Sequence, residues 1–243
     1  MKEAPDVNDP SYQAMLENSR KQREAEQRKR LLESNVPRRH WSLTESCFRE
    51  SIAETIVKWV ESTAAAPEDA KSFLILEGLS AEQMLSFACL KIIETCLKTP
   101  LLVDSVEDLG DMLLHPSEFE MDLAYAESVL GGGRNTTTLA ERLQSRLYVG
   151  VGWLAEDSKS PSPPSRVRSA VKGLVLRRTG FTLVSCYSMD MIVNWYGQVF
   201  ASRLLEDGCL VNFNGPNESE PYHDRRLAIA GKAASRRNLK TII

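Results

Sequence analysis

The chain has 243 residues, of which 42% are hydrophobic, and a formal net charge of −3. This length suits one domain with appendages or two small domains, and the composition can supply an apolar core. The slightly acidic balance excludes a uniformly basic nucleic-acid binder but allows a local basic patch. No apolar run reaches the length of a membrane span and the N-terminus is polar, so we expect a cytoplasmic protein.

The cysteines and histidines predict neither disulfides nor a metal site. The five cysteines are odd in number, lack C-x-x-C spacing and mostly lie in apolar runs, which is typical of reduced core residues. The three histidines are far apart and form no ligand pattern. We therefore expect no zinc site and no bound metal.

The N-terminal segment differs in composition from the rest of the chain. Residues 11–34 are rich in Glu, Gln, Lys, Arg and Ala, which favour a helix. This helix has too few apolar side chains to be buried against its own domain. A solvated linker helix is one interpretation. A docking helix is the other, because Tyr12, Met15 and Leu16 lie on one face near its start.

The remainder of the chain alternates helical and apolar segments after Pro37. An amphipathic helix is predicted over residues 42–63. Short apolar runs predict five strands, at residues 73–76, 101–103, 147–151, 181–186 and 209–213. Helices are expected between them, so the fold class is α/β, with a mostly parallel five-stranded sheet that carries helices on both faces.

Three helix ends carry specific sequence signals. Ser80 is predicted to cap the helix after the first strand, with Gln83 reaching back to it in a capping box. Gly180 is predicted as the C′ glycine of the helix before the fourth strand. Ser188 is predicted to cap one long helix, whose apolar stripe includes Val199 and continues to Leu204.

The first strand and the helix after it have the outline of a phosphate-binding loop. Such a loop reads G-x-x-x-x-G-K-[ST], and Gly78 fills only its first place. Gln83, Met84 and Leu85 stand at the second glycine, the lysine and the hydroxyl. Methionine brings no charge to a phosphate and leucine cannot ligate Mg²⁺, so these four residues form a vestigial nucleotide loop. An ordinary buried strand followed by an ordinary helix is an equally good interpretation.

Four segments together suggest a family: the turn within residues 31–42, the strand within 72–78, the strand within 148–156, and the helix and strand within 197–213. They resemble the "G-I-P-x-R" turn, the Walker A and Walker B strands, and the "S-R-L" helix with the final strand of the DnaC/IstB family of AAA+ proteins. The resemblance implies three regions: a polar N-terminal helix and linker (1–40), a degenerate AAA+ domain (41–219) and a basic tail (220–243).

The resemblance also indicates what stands at the other catalytic positions. In the best register, Val151 and Gly152 occupy the two acidic places of Walker B. A slipped register would offer Glu156 and Asp157 instead. The polar sensor that follows the fourth strand in the family falls at Cys186. Since phosphoryl transfer depends on Lys, Mg²⁺ and its acidic ligand, the chain is predicted to be a pseudo-ATPase without a bound cofactor.

Arg203 matches the arginine that the family uses as a trans-acting finger on a neighbour's nucleotide. A structural interpretation is also open, because an arginine near the end of a helix can offset the helix dipole or pair with Glu206.

The resemblance implies an interaction protein of DNA replication. The leading hypothesis is a non-hydrolysing DnaC-like loader or regulator that binds a DnaB-like helicase hexamer, on which it could oligomerise. The alternatives are an active AAA+ ATPase that uses Glu156 and Asp157, and an IstB-like transposition accessory protein. Single-stranded DNA is a further candidate partner, through Arg225, Arg226, Arg236 and Arg237, although a solvated tail explains these arginines equally well.

Overall fold

A five-stranded, all-parallel sheet is the centre of the computed structural model, which describes residues 10–103, 105–114, 143–144, 146–155 and 161–212. The strands are β1 (Phe73–Glu77), β2 (Leu101–Val103), β3 (Tyr148–Ala155), β4 (Phe181–Cys186) and β5 (Gly208–Asn212). Their order in the sheet is β2-β3-β4-β1-β5, and every pairing is parallel. The predicted α/β fold with a mostly parallel sheet is confirmed.

Seven α-helices accompany the sheet in the described residues: α1 (Pro10–Glu33), α2 (Glu50–Ala65), α3 (Ala81–Lys91), α4 (Val106–Leu114), α5 (Ser165–Arg177), α6 (Met189–Tyr196) and α7 (Gln198–Glu206). Short 3₁₀ turns lie at Arg38–His40 and Glu45–Cys47, and α3 continues into a π-helical turn at Ile92–Cys96. Within the described part of the chain, no helix is both long enough and apolar enough to cross a membrane.

Helices cover both faces of the sheet. Successive residues of a strand point to opposite faces, and on β1 residues 73–76 are apolar on both faces and need a covering layer. Leu74 and Leu76 of β1 pack with the buried side chains of α2 and α3, whereas Ile75 packs with those of α4 to α7. Both layers are largely apolar, and β1, which lies between β4 and β5 in the sheet, is covered on each face.

The segment at residues 34–41 joins α1 to this body and is itself buried in part. The backbone N–H of Leu102 donates to the carbonyl of Ser34 at 2.9 Å, which places this segment beside the edge strand β2. The indole of Trp41 donates to the carbonyl of Val36 at 2.8 Å. His40 is buried, and its Nδ1 lies 2.8 Å from the hydroxyl of Ser86 on α3. The segment is therefore fixed to both the sheet edge and α3.

Two predicted helix boundaries are wrong. The helix expected from residue 42 begins only at Glu50, because the 3₁₀ turn at Glu45–Cys47 ends in an extended Phe48. Phe48 is nevertheless buried, as predicted for its apolar character. At the other boundary, α5 ends at Arg177 with an extended residue after it, so Gly180 is not a C′ glycine. A Cβ at Gly180 would lie 2.6 Å from the carbonyl oxygen of Leu147, which explains the glycine.

The long helix predicted after Ser188 is in fact two helices. Ser188 accepts a hydrogen bond from the N–H of Met191, so its capping role is confirmed. The helix then breaks at Gly197, whose φ of 89° favours glycine. The break reorients α7 and leaves Val199 72% exposed, so its predicted place on the buried stripe is wrong.

Candidate functional site

The carboxyl ends of the parallel strands are where an open α/β sheet binds its ligands. Here β1 ends at Glu77 and α3 begins at Ala81, which leaves a turn of three residues. Gly78 has a φ of 122°, and its N–H donates to the carbonyl of Cys186 at 3.0 Å. The N–H of Ala81 donates to the carbonyl of Gly78 at 3.2 Å. Backbone hydrogen bonds therefore close the turn and tie it to β4. Its three residues are fewer than the six places that run from the first to the second glycine of a phosphate loop.

The residues predicted at the vestigial nucleotide loop lie within α3. Gln83, Met84 and Leu85 are all buried, and Met84 and Leu85 belong to the apolar cluster between α2, α3 and the sheet. Ser80 occupies the N-cap position, but its side chain makes no capping hydrogen bond, so the predicted capping box is not formed. Its φ and ψ of −104° and 18° differ from the extended conformation that capping requires. Structurally, these residues pack against the core.

Glu77 is the residue at this edge that sequence reasoning assigned no role. Only 7% of its surface is exposed. Its Oε1 accepts a hydrogen bond from the backbone N–H of Met189 at 2.9 Å, and its Oε2 accepts one from the side-chain amide of Asn212 at 2.7 Å. The sequence signal for this role was a glutamate at the end of a buried apolar run. A carboxylate in such a place is nearly always paired, so the glutamate predicts nearby donors.

Cys186, at the predicted sensor position, is a buried neighbour of this carboxylate. It pairs with Glu77 in the sheet register. Burial and the nearby Glu77 carboxylate raise the pKa of the Cys186 thiol well above its usual value. The sensor position thus carries a neutral thiol at neutral pH. All five cysteines are free, and Cys89 is buried as well.

The third strand, which the resemblance identifies as the Walker B strand, extends further than predicted. Val151 and Gly152 are buried inside β3, where Val151 pairs with Val184. The strand is irregular after this point: Trp153 has a φ of 46°, and its N–H donates to the hydroxyl of Ser185 at 2.7 Å. The strand reaches the carboxyl edge only at Ala155, which pairs with Cys186. The predicted end at Val151 is therefore wrong.

The two acids of the slipped register come next along the chain. Glu156 and Asp157 follow Ala155 directly in sequence and lie outside the described residues. No group of three or more His, Cys, Asp or Glu side chains that could hold a metal occurs among the residues that are described.

Arg203 lies on the exposed face of α7. Its guanidinium is 3.9 Å from the carboxylate of Glu206, and about two thirds of each side chain is exposed. An exposed pair at this distance contributes little to stability. The strongly exposed Val199 lies four residues earlier, on the same side of the helix. Arg203 is accessible to another molecule, and its finger role stays a prediction.

The N-terminal helix α1 presents the predicted apolar cluster to solvent. Met15 is 54% and Leu16 is 44% exposed, while Tyr12 is partly buried. Charged residues further along pair with one another, as Arg20 does with Glu17 at 2.9 Å. The other predicted nucleic-acid candidates, Arg225, Arg226, Arg236 and Arg237, lie outside the described residues.

Comparisons with known proteins connect this chain to helicase loaders through structure. No family model matches the sequence, and no curated protein matches it. A crystal structure of the DnaC helicase loader matches with a TM-score of 0.53 and 15% sequence identity, covering 72% of this chain and 99% of that chain.

Two further crystal structures are similar at a lower level. A candidate primosome component from Streptococcus pyogenes serotype M3 has a TM-score of 0.44 and 14% identity, covering 76% of this chain and 93% of that chain. DnaI has a TM-score of 0.44 and 12% identity, covering 76% of this chain and 95% of that chain. The match to DnaC shows that this chain, with its five-stranded parallel sheet, has a DnaC-like fold.

Proposed function

We propose that this chain is a DnaC-like replication protein that binds a replicative DNA helicase and acts as a loader or regulator without hydrolysing ATP. The fold that it shares with a helicase loader supports the class of protein. The observation that carries the non-hydrolysing part is the three-residue turn between β1 and α3. This turn leaves Met84 and Leu85 inside the core, at the places where a phosphate loop has its lysine and its Mg²⁺-binding hydroxyl.

The electrostatics at the strand ends support the same proposal. Phosphoryl transfer needs positive charge and a metal ion around the transferred phosphate. At this edge the charge contributed by β1 is the carboxylate of Glu77, and the sensor position carries the neutral thiol of Cys186. A second negative group would be repelled rather than stabilised by Glu77.

The partner contact is proposed to lie on α1. Tyr12, Met15 and Leu16 form an apolar cluster on a helix whose charged residues largely pair along its own surface. A small apolar cluster on a charged helix suits a helix-in-groove contact. In this proposal the protein is cytoplasmic and several copies assemble on the helicase hexamer, while the four arginines of the tail bind single-stranded DNA.

Nucleotide binding is tested by calorimetry with ATP and Mg²⁺. We expect no heat of binding at high micromolar protein, and no rise in Tm with added ATP, because a ligand that binds the folded state raises its stability. Saturable binding would overturn the prediction that no nucleotide occupies this edge. A pull-down with the host's purified replicative helicase tests the partner, and a loss of binding in Met15→Asp with Leu16→Asp would place the contact.

An active ATPase is the second candidate, and one observation favours it. Because β3 reaches the carboxyl edge at Ala155, the acids next in sequence are Glu156 and Asp157. Turnover of radiolabelled ATP decides between the two candidates. Hydrolysis that is abolished in Glu156→Gln or Asp157→Asn would establish the second candidate and exclude the first. The IstB-like alternative stays a prediction, which a transposase gene beside this gene would favour.

A further inference from the structure

Glu77 links three elements at the carboxyl edge of the sheet. It is the last residue of β1, and its carboxylate binds the first residue of α6 and the last residue of β5. In the sheet register it pairs with Asn212 on one side and with Cys186 on the other. The three strand ends are therefore level, and the carboxylate is the only group shown to bond to both β5 and α6 in the described residues.

The donors around Glu77 are of the kind that bind anions. The N–H of Met189 belongs to the first turn of an eight-residue helix, whose N-terminus carries partial positive charge. The side-chain amide of Asn212 supplies the second hydrogen bond, at 2.7 Å. Ser188 caps the same helix through the N–H of Met191. Phosphates bind to helix N-termini in this way in many α/β proteins.

We propose that Glu77 is a built-in anion, which organises β1, α6 and β5 as a bound phosphate would and keeps free anions away from this edge. The claim that no nucleotide occupies the edge rests on the proposed function. The structural claim does not, because the two hydrogen bonds form in the chain alone. A buried carboxylate is costly unless its oxygens are bonded, and here each oxygen has a donor.

Removal of the carboxylate should leave a vacancy that fits a small anion. In Glu77→Ala the N–H of Met189 and the amide of Asn212 lose their acceptor. Loss of charge-assisted bonds to buried donors should lower Tm by roughly 4–10 °C for a domain of this size. Formate or acetate should then bind between the two donors and restore part of the lost stability.

The experiment measures Tm of full-length wild type, Glu77→Ala and Glu54→Ala in chloride, formate, acetate and phosphate at equal ionic strength. Glu54 is the matched control, because its carboxylate lies in an exposed pair with Lys58 on α2. We expect carboxylate-specific recovery in Glu77→Ala and none in wild type or Glu54→Ala. Recovery that is equal in all three proteins, or absent in Glu77→Ala, would overturn the proposal.

A second variant keeps the test valid if Glu77→Ala does not fold. Glu77→Gln retains the shape and one carbonyl acceptor, but it removes the negative charge and places an NH2 group where one carboxylate oxygen accepted a hydrogen bond. We expect Glu77→Gln to fold with a Tm below that of wild type. Its Tm should be above that of the double variant that combines Glu77→Ala with Asn212→Ala. A Tm equal to that of wild type would refute the role of the charge. If wild type hydrolyses ATP while Glu77→Ala is rescued by formate, the proposed function and the exclusion of anions fail, and the structural role of Glu77 stands.

Discussion

The carboxyl edge of the sheet and the N-terminal helix α1 differ in what they offer to a ligand. At the edge, the side chains at the predicted nucleotide positions are buried, and Glu77 is bonded on both oxygens. On α1, Met15 and Leu16 are about half exposed and belong to neither apolar cluster of the body. The edge is thus used for packing, and α1 presents side chains that packing does not use.

This difference separates the fold from the chemistry that such folds often carry. A fold fixes where a ligand could bind, whereas function depends on the groups that are present at that place. Here the described residues form a five-stranded parallel sheet, but the turn after β1 is closed by backbone hydrogen bonds. The accessible surface is therefore a better guide to function than the position of the predicted nucleotide loop.

The strongest test of the closed edge is Met84→Lys, which restores the lysine of a phosphate loop. Because Met84 is fully buried in α3, the new ammonium would be placed in the core without a partner. We expect the free energy of unfolding to fall by roughly 4 kcal/mol or more, as measured by urea denaturation. Met84→Leu is the control and should cost less than about 1.5 kcal/mol. If Met84→Lys keeps wild-type stability and gains ATP binding, the edge is open after all.

The complementary test on α1 is Met15→Asp with Leu16→Asp. Exposed positions tolerate such changes, so the free energy of unfolding should change by no more than about 0.5 kcal/mol per site. Affinity for the helicase should fall at least tenfold, since each lost anchor contributes on the order of 1–3 kcal/mol. Leu32→Asp is the matched control, because Leu32 is 54% exposed at the other end of α1. An equal loss in Leu32→Asp would mean that the apolar cluster does not define the contact.

Substitutions in residues 34–41, the segment that connects α1 to the sheet, should have an intermediate effect on the free energy of unfolding. His40 is buried and bonded to Ser86, whereas Arg39 beside it forms an ion pair with Glu82 at 2.5 Å and is two thirds exposed. His40→Ala should lower the free energy of unfolding by about 1–3 kcal/mol, because the buried Ser86 hydroxyl loses its partner. Arg39→Ala should lower it by less than about 1 kcal/mol. Equal losses in urea denaturation would show that burial of the histidine is unimportant.

The fold was largely predictable because its signals are local. All strands except β3 were placed to within one residue at each end, since each is an apolar run between polar or helix-breaking residues. The errors lie where one backbone conformation changes the geometry. The positive φ of Trp153 could not be predicted, because non-glycine residues rarely adopt one. The positive φ of Gly197 was missed because the glycine fits the helical pattern around it.

The candidate site was less predictable because its contacts are distant in sequence. Glu77 binds Met189, which lies 112 residues later, and Asn212, which lies 135 residues later. No spacing rule connects such residues. The loss of the lysine and the hydroxyl at Met84 and Leu85 could be read directly. Their burial follows from the start of α3 at Ala81, which the predicted N-cap position of Ser80 already indicated.

The smallest effect on stability is expected for Arg203→Ala. The pair with Glu206 is long and exposed, so the free energy of unfolding should change by no more than about 0.5 kcal/mol. If Arg203 completes a nucleotide site on another protein, the helicase's ATP turnover should respond to wild type but not to Arg203→Ala. Glu206→Ala is the control and should preserve the response. Arg203 would be a structural residue of α7 if Arg203→Ala lowered the free energy of unfolding by more than about 1 kcal/mol and left the response of the helicase's ATP turnover unchanged. Of the two accessible candidates in the described residues, Arg203 and the apolar cluster on α1, only the cluster would then remain.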